Sequence, residues 1–169
     1  MTPHRASRRD TASLAWAPVA RSDGYEFDDD LARVDVDAVW AFLSEHVYWG
    51  RWRSRADFDR QLAASWRVVA CYEQGTGATV GFARAVSDGV GFAYLGDVFV
   101  LPAHRGRGLG VRLVEEMVER GPGAGFRWLL HTDDAGGLYE RFGFAPASTV
   151  MERRHGTERA DGEAVPESS

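Results

Sequence analysis

One stretch limits what this chain can fold into: Asp97-Val-Phe-Val-Leu-Pro-Ala-His-Arg-Gly-Arg-Gly-Leu-Gly110, with the helical run that follows it. A β-branched and aromatic run reads as a strand. Pro102 ends it, because proline has no N–H to give a ladder. Arg105-Gly-Arg-Gly-Leu-Gly110 is a glycine-rich turn. After it, Leu109, Leu113 and Met117 fall on one helical face, with Val114 and Val118 beside them. The order is therefore strand, glycine turn, helix N-terminus.

That order suits an anion. Residues without side chains let the backbone approach a bulky group, and the first N–H groups of a helix have no internal partner. The helix dipole adds partial positive charge there, and phosphates bind such places. Arg105 and Arg107 add formal charge. The alternative is a plain connector with solvated arginines; three alternating glycines in a strand-to-helix context favour phosphate. A P-loop needs Gly-Lys-Ser/Thr before its helix, and this turn has neither lysine nor hydroxyl. A dinucleotide fingerprint needs G-x-G-x-x-G, whereas Gly106, Gly108 and Gly110 are spaced G-x-G-x-G.

The turn resembles the acyl-CoA loop of the GNAT N-acetyltransferases, whose Arg/Gln-x-x-Gly-x-Gly/Ala pattern is matched by Arg105, Gly108 and Gly110. The preceding Val98-x-Val100-x-Pro102 matches that family's strand. A second element, Leu138-Tyr-Glu-Arg-Phe-Gly-Phe144, is similar to its Leu-Tyr-x-x-x-Gly-Phe segment. One departure stands out: many relatives carry Asn seven positions before that tyrosine, and Thr132 stands there.

The rest of the chain follows the same order of elements. Met1 to about Asp23 is basic and polar at its start, lacks an apolar secretion segment, and reads as a disordered extension, with an organellar transit peptide as the alternative its composition allows. Gly24–Val34 contains a first strand. Val36, Val39, Trp40, Leu43 and Val47 have helical spacing, with Asp35 or Asp37 as cap. Ser54 opens a second helix, with Asp57 three residues on. Arg67–Tyr72 and Ala78–Val86 form a hairpin, and Gly91–Asp97 leads into the opening strand. Gly121, Gly123 and Gly125 stop the long helix, Phe126–His131 is a strand, and Ala135–Phe142 a short helix. Phe144–Arg154 reads as a last strand or strand pair, and 155–169 as a polar tail. The resemblance thus covers residues 24–154 as one domain. It implies an α/β (α+β) GNAT fold, with a mixed, mostly antiparallel sheet of six to seven strands and about four helices.

Composition narrows the function. The formal net charge of -5 gives no reason to expect nucleic acid as a partner. No long apolar run suggests a membrane span. The single cysteine, Cys71, excludes an intrachain disulfide and fits the cytoplasm. His4, His46, His104, His131 and His155 show no metal-ligand spacing, so no metal is expected. All 20 basic residues are arginine, which rules out lysine-based covalent catalysis.

The resemblance implies acetyl-CoA as cosubstrate and an amine of a small molecule as acceptor, with direct attack in a ternary complex. Residues 105–110 (Arg105, Gly106, Arg107, Gly108, Leu109, Gly110) would hold the pyrophosphate. Amides of Val98, Phe99 and Val100 would pair with the pantetheine arm and polarise the thioester. Tyr139 would serve the leaving thiolate as general acid; its alternative is a packing tyrosine. Asp97 is the nearest acidic candidate for the base, and capping or arginine pairing is its alternative. Glu45, His46 and Asp134 are weaker candidates. Tyr48, Trp49 and Trp52 are read as lining the acceptor site or as simple packing. Arg51, Arg53 and Arg55 favour an acidic acceptor or form a solvated face. Two other functions stay open: N-acetylation of a protein or peptide, and a non-catalytic CoA-binding sensor. A homodimer through exposed last strands is a further expectation.

Overall fold

A computed structural model describes residues 20–46 and 53–153. Its centre is one six-stranded sheet in the order β1-β2-β3-β4-β5-β6. The strands are β1 (Ala20–Ser22), β2 (Tyr25–Asp28), β3 (Arg67–Glu73), β4 (Thr79–Ser87), β5 (Phe92–Val100) and β6 (Arg127–Leu129). The first five run antiparallel, and β6 joins β5 in parallel. A parallel neighbour needs a long crossover, and the helix after the glycine turn supplies it.

Four α-helices flank the sheet among the described residues: α1 (Val36–His46), α2 (Arg55–Ala63), α3 (Leu109–Val118) and α4 (Gly136–Tyr139). On one face, Val39, Phe42 and Leu43 of α1 and Phe58 and Leu62 of α2 pack on Val68, Ala70, Phe82 and Phe99. On the other, Leu109, Leu113, Val114 and Met117 of α3 pack on Val69, Cys71, Ala85 and Leu95, with Tyr139 of α4 in the same core. The i, i+4 spacing of Leu109, Leu113 and Met117 is therefore what presses α3 onto the sheet.

Local signals decide where the helices begin. The Ser54 hydroxyl accepts the Asp57 N–H, and the Asp57 carboxylate accepts the Ser54 N–H in return, a reciprocal cap on α2. Asp35 accepts the Ala38 N–H at 2.9 Å and caps α1. At the far end of α3, Arg67 Nη1 donates to the carbonyls of Glu116 and Met117. A Cβ on Gly121 would run into that nitrogen, so a side chain there would push Arg67 off these carbonyls.

Two expectations change. The sheet starts at Ala20, inside the stretch read as an extension, because β1 and β2 form a hairpin around Asp23 and Gly24, both at positive φ. The last strand does not form: residues 143–153 carry no strand. Phe144-Ala-Pro-Ala-Ser-Thr lacks the β-branched density of the other strands, and Pro146 removes a ladder donor. The short helix also divides, with α4 followed by a 3-10 turn over Glu140–Phe142 that Gly143 ends at φ +77°.

Candidate active site

The glycine loop begins where β5 stops. A 3-10 turn over Pro102–His104 leads to Arg105, whose Nε donates to the Val100 carbonyl at 2.9 Å. Gly106 and Gly108 take left-handed conformations, φ +76° and +75°, that a side chain would strain. Arg112 N–H to Gly108 C=O, 3.1 Å, closes the first turn of α3. The N–H groups of Leu109, Gly110 and Val111 are then the helix's unpaired donors. Among the described residues no side chain caps this end, and no acid lies in its first turn, which leaves these amides open to an anion. Arg107 lies over the Tyr25 ring, 6.0 Å from guanidinium carbon to centroid, and the Tyr25 hydroxyl is 2.9 Å from His104 Nδ1.

A cavity of about 330 Å³ runs from this turn along β5, lined by Val98, Val100, Arg105, Gly108 and Leu138 among others. One side of it is an open strand edge. β5 and β6 are in register only at Phe92 with Arg127, Ala93 with Trp128 and Tyr94 with Leu129. Beyond Tyr94 the two strands fork. Leu101 donates to Val80 C=O on the β4 side. By the alternation of a strand, the N–H and C=O of Val98 and Val100 face the fork. The Val100 carbonyl is the one Arg105 takes.

The fork has a cause in β5 itself. Phe82 opposes Phe99 while Arg84 opposes Gly96, so β5 holds one residue more than β4 across that interval. Asp97 sits in this bulge at φ +52°, buried. Arg53 Nη1 and Nη2 donate to its two carboxylate oxygens at 2.8 and 2.9 Å, and Arg84 Nε donates to Oδ2 as well. Gln61 of α2 accepts a further bond from Arg53 Nη1 at 2.8 Å. Burial alone would raise the Asp97 carboxyl; the hydrogen bonds and charges of Arg53 and Arg84 outweigh it and hold the group below the usual carboxylate value. A carboxylate so held is a poor proton acceptor. Its geometry is the arginine-pairing alternative, and it anchors the bulge.

Tyr139 is buried on α4, its ring 5.9 Å from that of Phe144. Burial, and to a lesser degree the charges of Asp134 and Tyr94, push its hydroxyl up to about 12. It is therefore a protonated donor at neutral pH. It lines a second cavity, about 400 Å³, with Leu130, His131, Thr132, Gly136 and Phe144. Thr132, in the place of the family's asparagine, accepts the Ala135 N–H at 3.0 Å and so turns the chain into α4. Cys71 is fully buried and its thiol is pushed up to about 12 by burial, which keeps it from acting as an acyl carrier.

The structure thus brings Val98 to Val100 and the 105–110 loop to one cavity, whereas Tyr139 lines the other one, which α4 also borders. Arg55 is half-buried and paired with Asp37 and Asp59. Glu45, His46 and Asp134 are exposed. Tyr48, Trp49, Arg51 and Trp52 lie outside the described residues. Sequence reasoning missed Arg53 and Arg84 as partners of Asp97, and Tyr94 with His131, whose Oη and Nδ1 are 2.9 Å apart. Alternation along β5 put Tyr94 and Gly96 on one face, the one signal available. Among the described residues, no three His, Cys, Asp or Glu side chains could hold a metal, and no helix is long and apolar enough to cross a membrane.

The chain is similar to known proteins. The model of the acetyltransferase (GNAT) family matches residues 36–144. A Gibberella zeae protein assigned to the acetyltransferases is 32% identical over 128 residues, 64% of this chain and 72% of that protein. A crystal structure of a GNAT-family protein from Xanthomonas campestris pv. campestris aligns with TM-score 0.73 and 34% identity, over 82% of this chain and 99% of that one. One from Deinococcus radiodurans R1, also described as an acetyltransferase, aligns with TM-score 0.59 and 25% identity, over 81% and 94%.

Proposed function

The chain belongs to the acetyltransferase (GNAT) family and is an N-acetyltransferase; on that premise we propose that it moves acetyl from acetyl-CoA to an amine of a small molecule, by direct attack in a ternary complex. The observation that carries this reading is the fork: past Tyr94, β5 offers Val98 and Val100 backbone groups to a ligand instead of to β6. The pantetheine arm adds to that edge as an extra strand, with main-chain hydrogen bonds supplying affinity. The pyrophosphate lies at the α3 N-terminus, on the Leu109–Val111 amides, beside Arg105 and Arg107.

Each chemical step then has a group. Attack on the thioester carbonyl builds an oxyanion, and a fork-facing amide at Val98 or Val100 stabilises it without reorganising. The departing thiolate is met by the Tyr139 hydroxyl. A thiol titrates near ~8.5, well below a hydroxyl pushed up to about 12. Tyr139 therefore acts first as a hydrogen-bond donor that stabilises the thiolate, and full transfer of its proton follows as the product leaves. A cytoplasmic location belongs to the same proposal, since the one cysteine is free and buried and asks for no oxidising compartment.

Calorimetric titration with acetyl-CoA tests the binding half: no heat from the intact protein would remove the reading. Tyr139→Phe tests the chemistry. General-acid assistance is worth roughly 10²–10⁴-fold, so thiol release with an amine panel should fall by that order while acetyl-CoA affinity holds. An unchanged rate would return Tyr139 to packing.

A further inference from the structure

One polar pair spans the fork without a part in the scheme above. Tyr94 is the last residue of β5 in register with β6, and its Oη lies 2.9 Å from Nδ1 of His131, just past the end of β6. Their rings are 5.7 Å apart. Tyr94 shares its face of the sheet with Arg84 and Gly96: a Cβ on Gly96 would lie 3.6 Å from Tyr94 Cε1 and 3.8 Å from Arg84 Nη2. His131 is exposed and lines the cavity that also holds Tyr139.

The reaction still lacks a proton acceptor. An alkylamine is mostly protonated at neutral pH and cannot attack until it loses a proton. Asp97 is occupied by two guanidiniums, and Tyr139 is a donor. Resting on the transferase reading, we infer that Tyr94 and His131 form the relay that deprotonates the acceptor. Tyr94 Oη takes a proton from the ammonium as its own hydroxyl proton passes to His131 Nδ1. The imidazolium, being exposed, loses a proton to solvent. The neutral amine then forms the C–N bond and the C–S bond breaks. The second proton leaving nitrogen replaces, through solvent, the one Tyr139 gives to sulfur. Atoms and charge balance as ammonium plus thioester giving amide, thiol and one proton.

The surroundings suit a relay better than a stored tyrosinate. Burial is the largest influence on Tyr94 and pushes its hydroxyl up; Arg84 on β4 works against that, and Asp97 on β5 and Glu152 from the C-terminal segment add to it. Tyr139 faces it from α4. An anion does not persist there, so the proton must move on as it arrives, and imidazole is the side chain that changes charge near physiological pH.

The test uses the full chain, acetyl-CoA and two nucleophiles: a primary alkylamine, and hydroxylamine, which is already neutral at pH 7. A relay is worth roughly 10²–10⁴-fold to the alkylamine, so His131→Gln and Tyr94→Phe should each lose that much kcat/KM with it at pH 7. The loss with the alkylamine should shrink as pH rises and the amine sheds its proton unaided. Hydroxylamine turnover and calorimetric acetyl-CoA affinity should stay within about threefold. Equal losses with both nucleophiles, or loss of acetyl-CoA binding in both variants, overturn the relay and make the pair a clamp across the fork. Wild-type protein that binds acetyl-CoA but releases thiol with neither nucleophile overturns the transferase reading and the relay together.

Discussion

The two halves of β5 behave as different structures. At Ala93 and Tyr94 the strand is paired on both sides, with β4 and with β6. At Phe99 and Val100 it is paired with β4 alone. Both halves are short, apolar and of high β propensity, so side-chain preference does not separate them. What separates them is the single bulged residue between. Asp97 adds length and curvature, and two arginines hold it in a backbone conformation that a non-glycine residue rarely takes. The first half is architecture and the second is left open for a ligand. A strand edge normally has to be protected; here the glycine loop and α4 close around it.

The largest effect should come from breaking the anchor. Asp97→Asn keeps the shape but leaves Arg53 and Arg84 facing a neutral amide. Losing one partner of a buried ion pair costs about 3–5 kcal/mol, and urea unfolding should show a loss of that order. A loss well under 1 kcal/mol would mean that the bulge holds itself. The pH dependence has a definite sign. The folded carboxyl lies below its ordinary value, so its contribution is complete above the unfolded value near ~3.9 and is lost as pH falls through the folded value. The stability gap between wild type and Asp97→Asn should therefore narrow in acid below about pH 4.

A smaller effect, of opposite character, belongs to the loop. Gly108 is left-handed, yet a Cβ there meets nothing within 4 Å. Aspartate tolerates that conformation better than most residues with a side chain. Gly108→Asp should cost the free protein no more than about 1 kcal/mol in urea unfolding. Its charge and bulk sit where the pyrophosphate is proposed to lie, so acetyl-CoA affinity should fall about ten- to a hundredfold, or about 1.4–2.8 kcal/mol. Asp97 and Gly108 would then divide cleanly into a residue that holds the fold and one that only leaves room. Equal affinity in Gly108→Asp and wild type would move the phosphate away from this helix.

How much of this was legible in the sequence follows the same division. The glycine turn, the α3 stripe of Leu109, Leu113 and Met117, and the Ser54–Asp57 cap are set by residues within a few positions of one another, and they stand where the spacing put them. The fork is not local. Arg53 reaches Asp97 across 44 positions and Tyr94 reaches His131 across 37. No periodicity links such pairs, so Asp97 looked equally like a base and an anchor until its partners were in place. The missing last strand fails for a third reason. Phe144 to Arg154 has the right place in the order of elements, but placement is a weaker demand than an N–H at Pro146.

The smallest effects come from adding one methyl group at two glycines of the same turn. Gly106 is at φ +76° and Gly110 is inside α3 with an ordinary backbone, where a Cβ would meet Leu138 Cδ2 at a comfortable 3.9 Å. Gly106→Ala should destabilise the free protein by about 1 kcal/mol, because alanine resists the left-handed region. Gly110→Ala should stabilise it by about 0.5–1 kcal/mol, because glycine is the poorer helix former. If the loop served only as a connector, these opposite signs would be the whole result. If the Gly110 amide receives phosphate, the added methyl also crowds the anion, so the more stable variant should bind acetyl-CoA more weakly, by a few-fold in calorimetry. Stability and affinity moving in opposite directions at one residue would locate the phosphate at the first turn of α3; moving together, they would place it elsewhere in the groove.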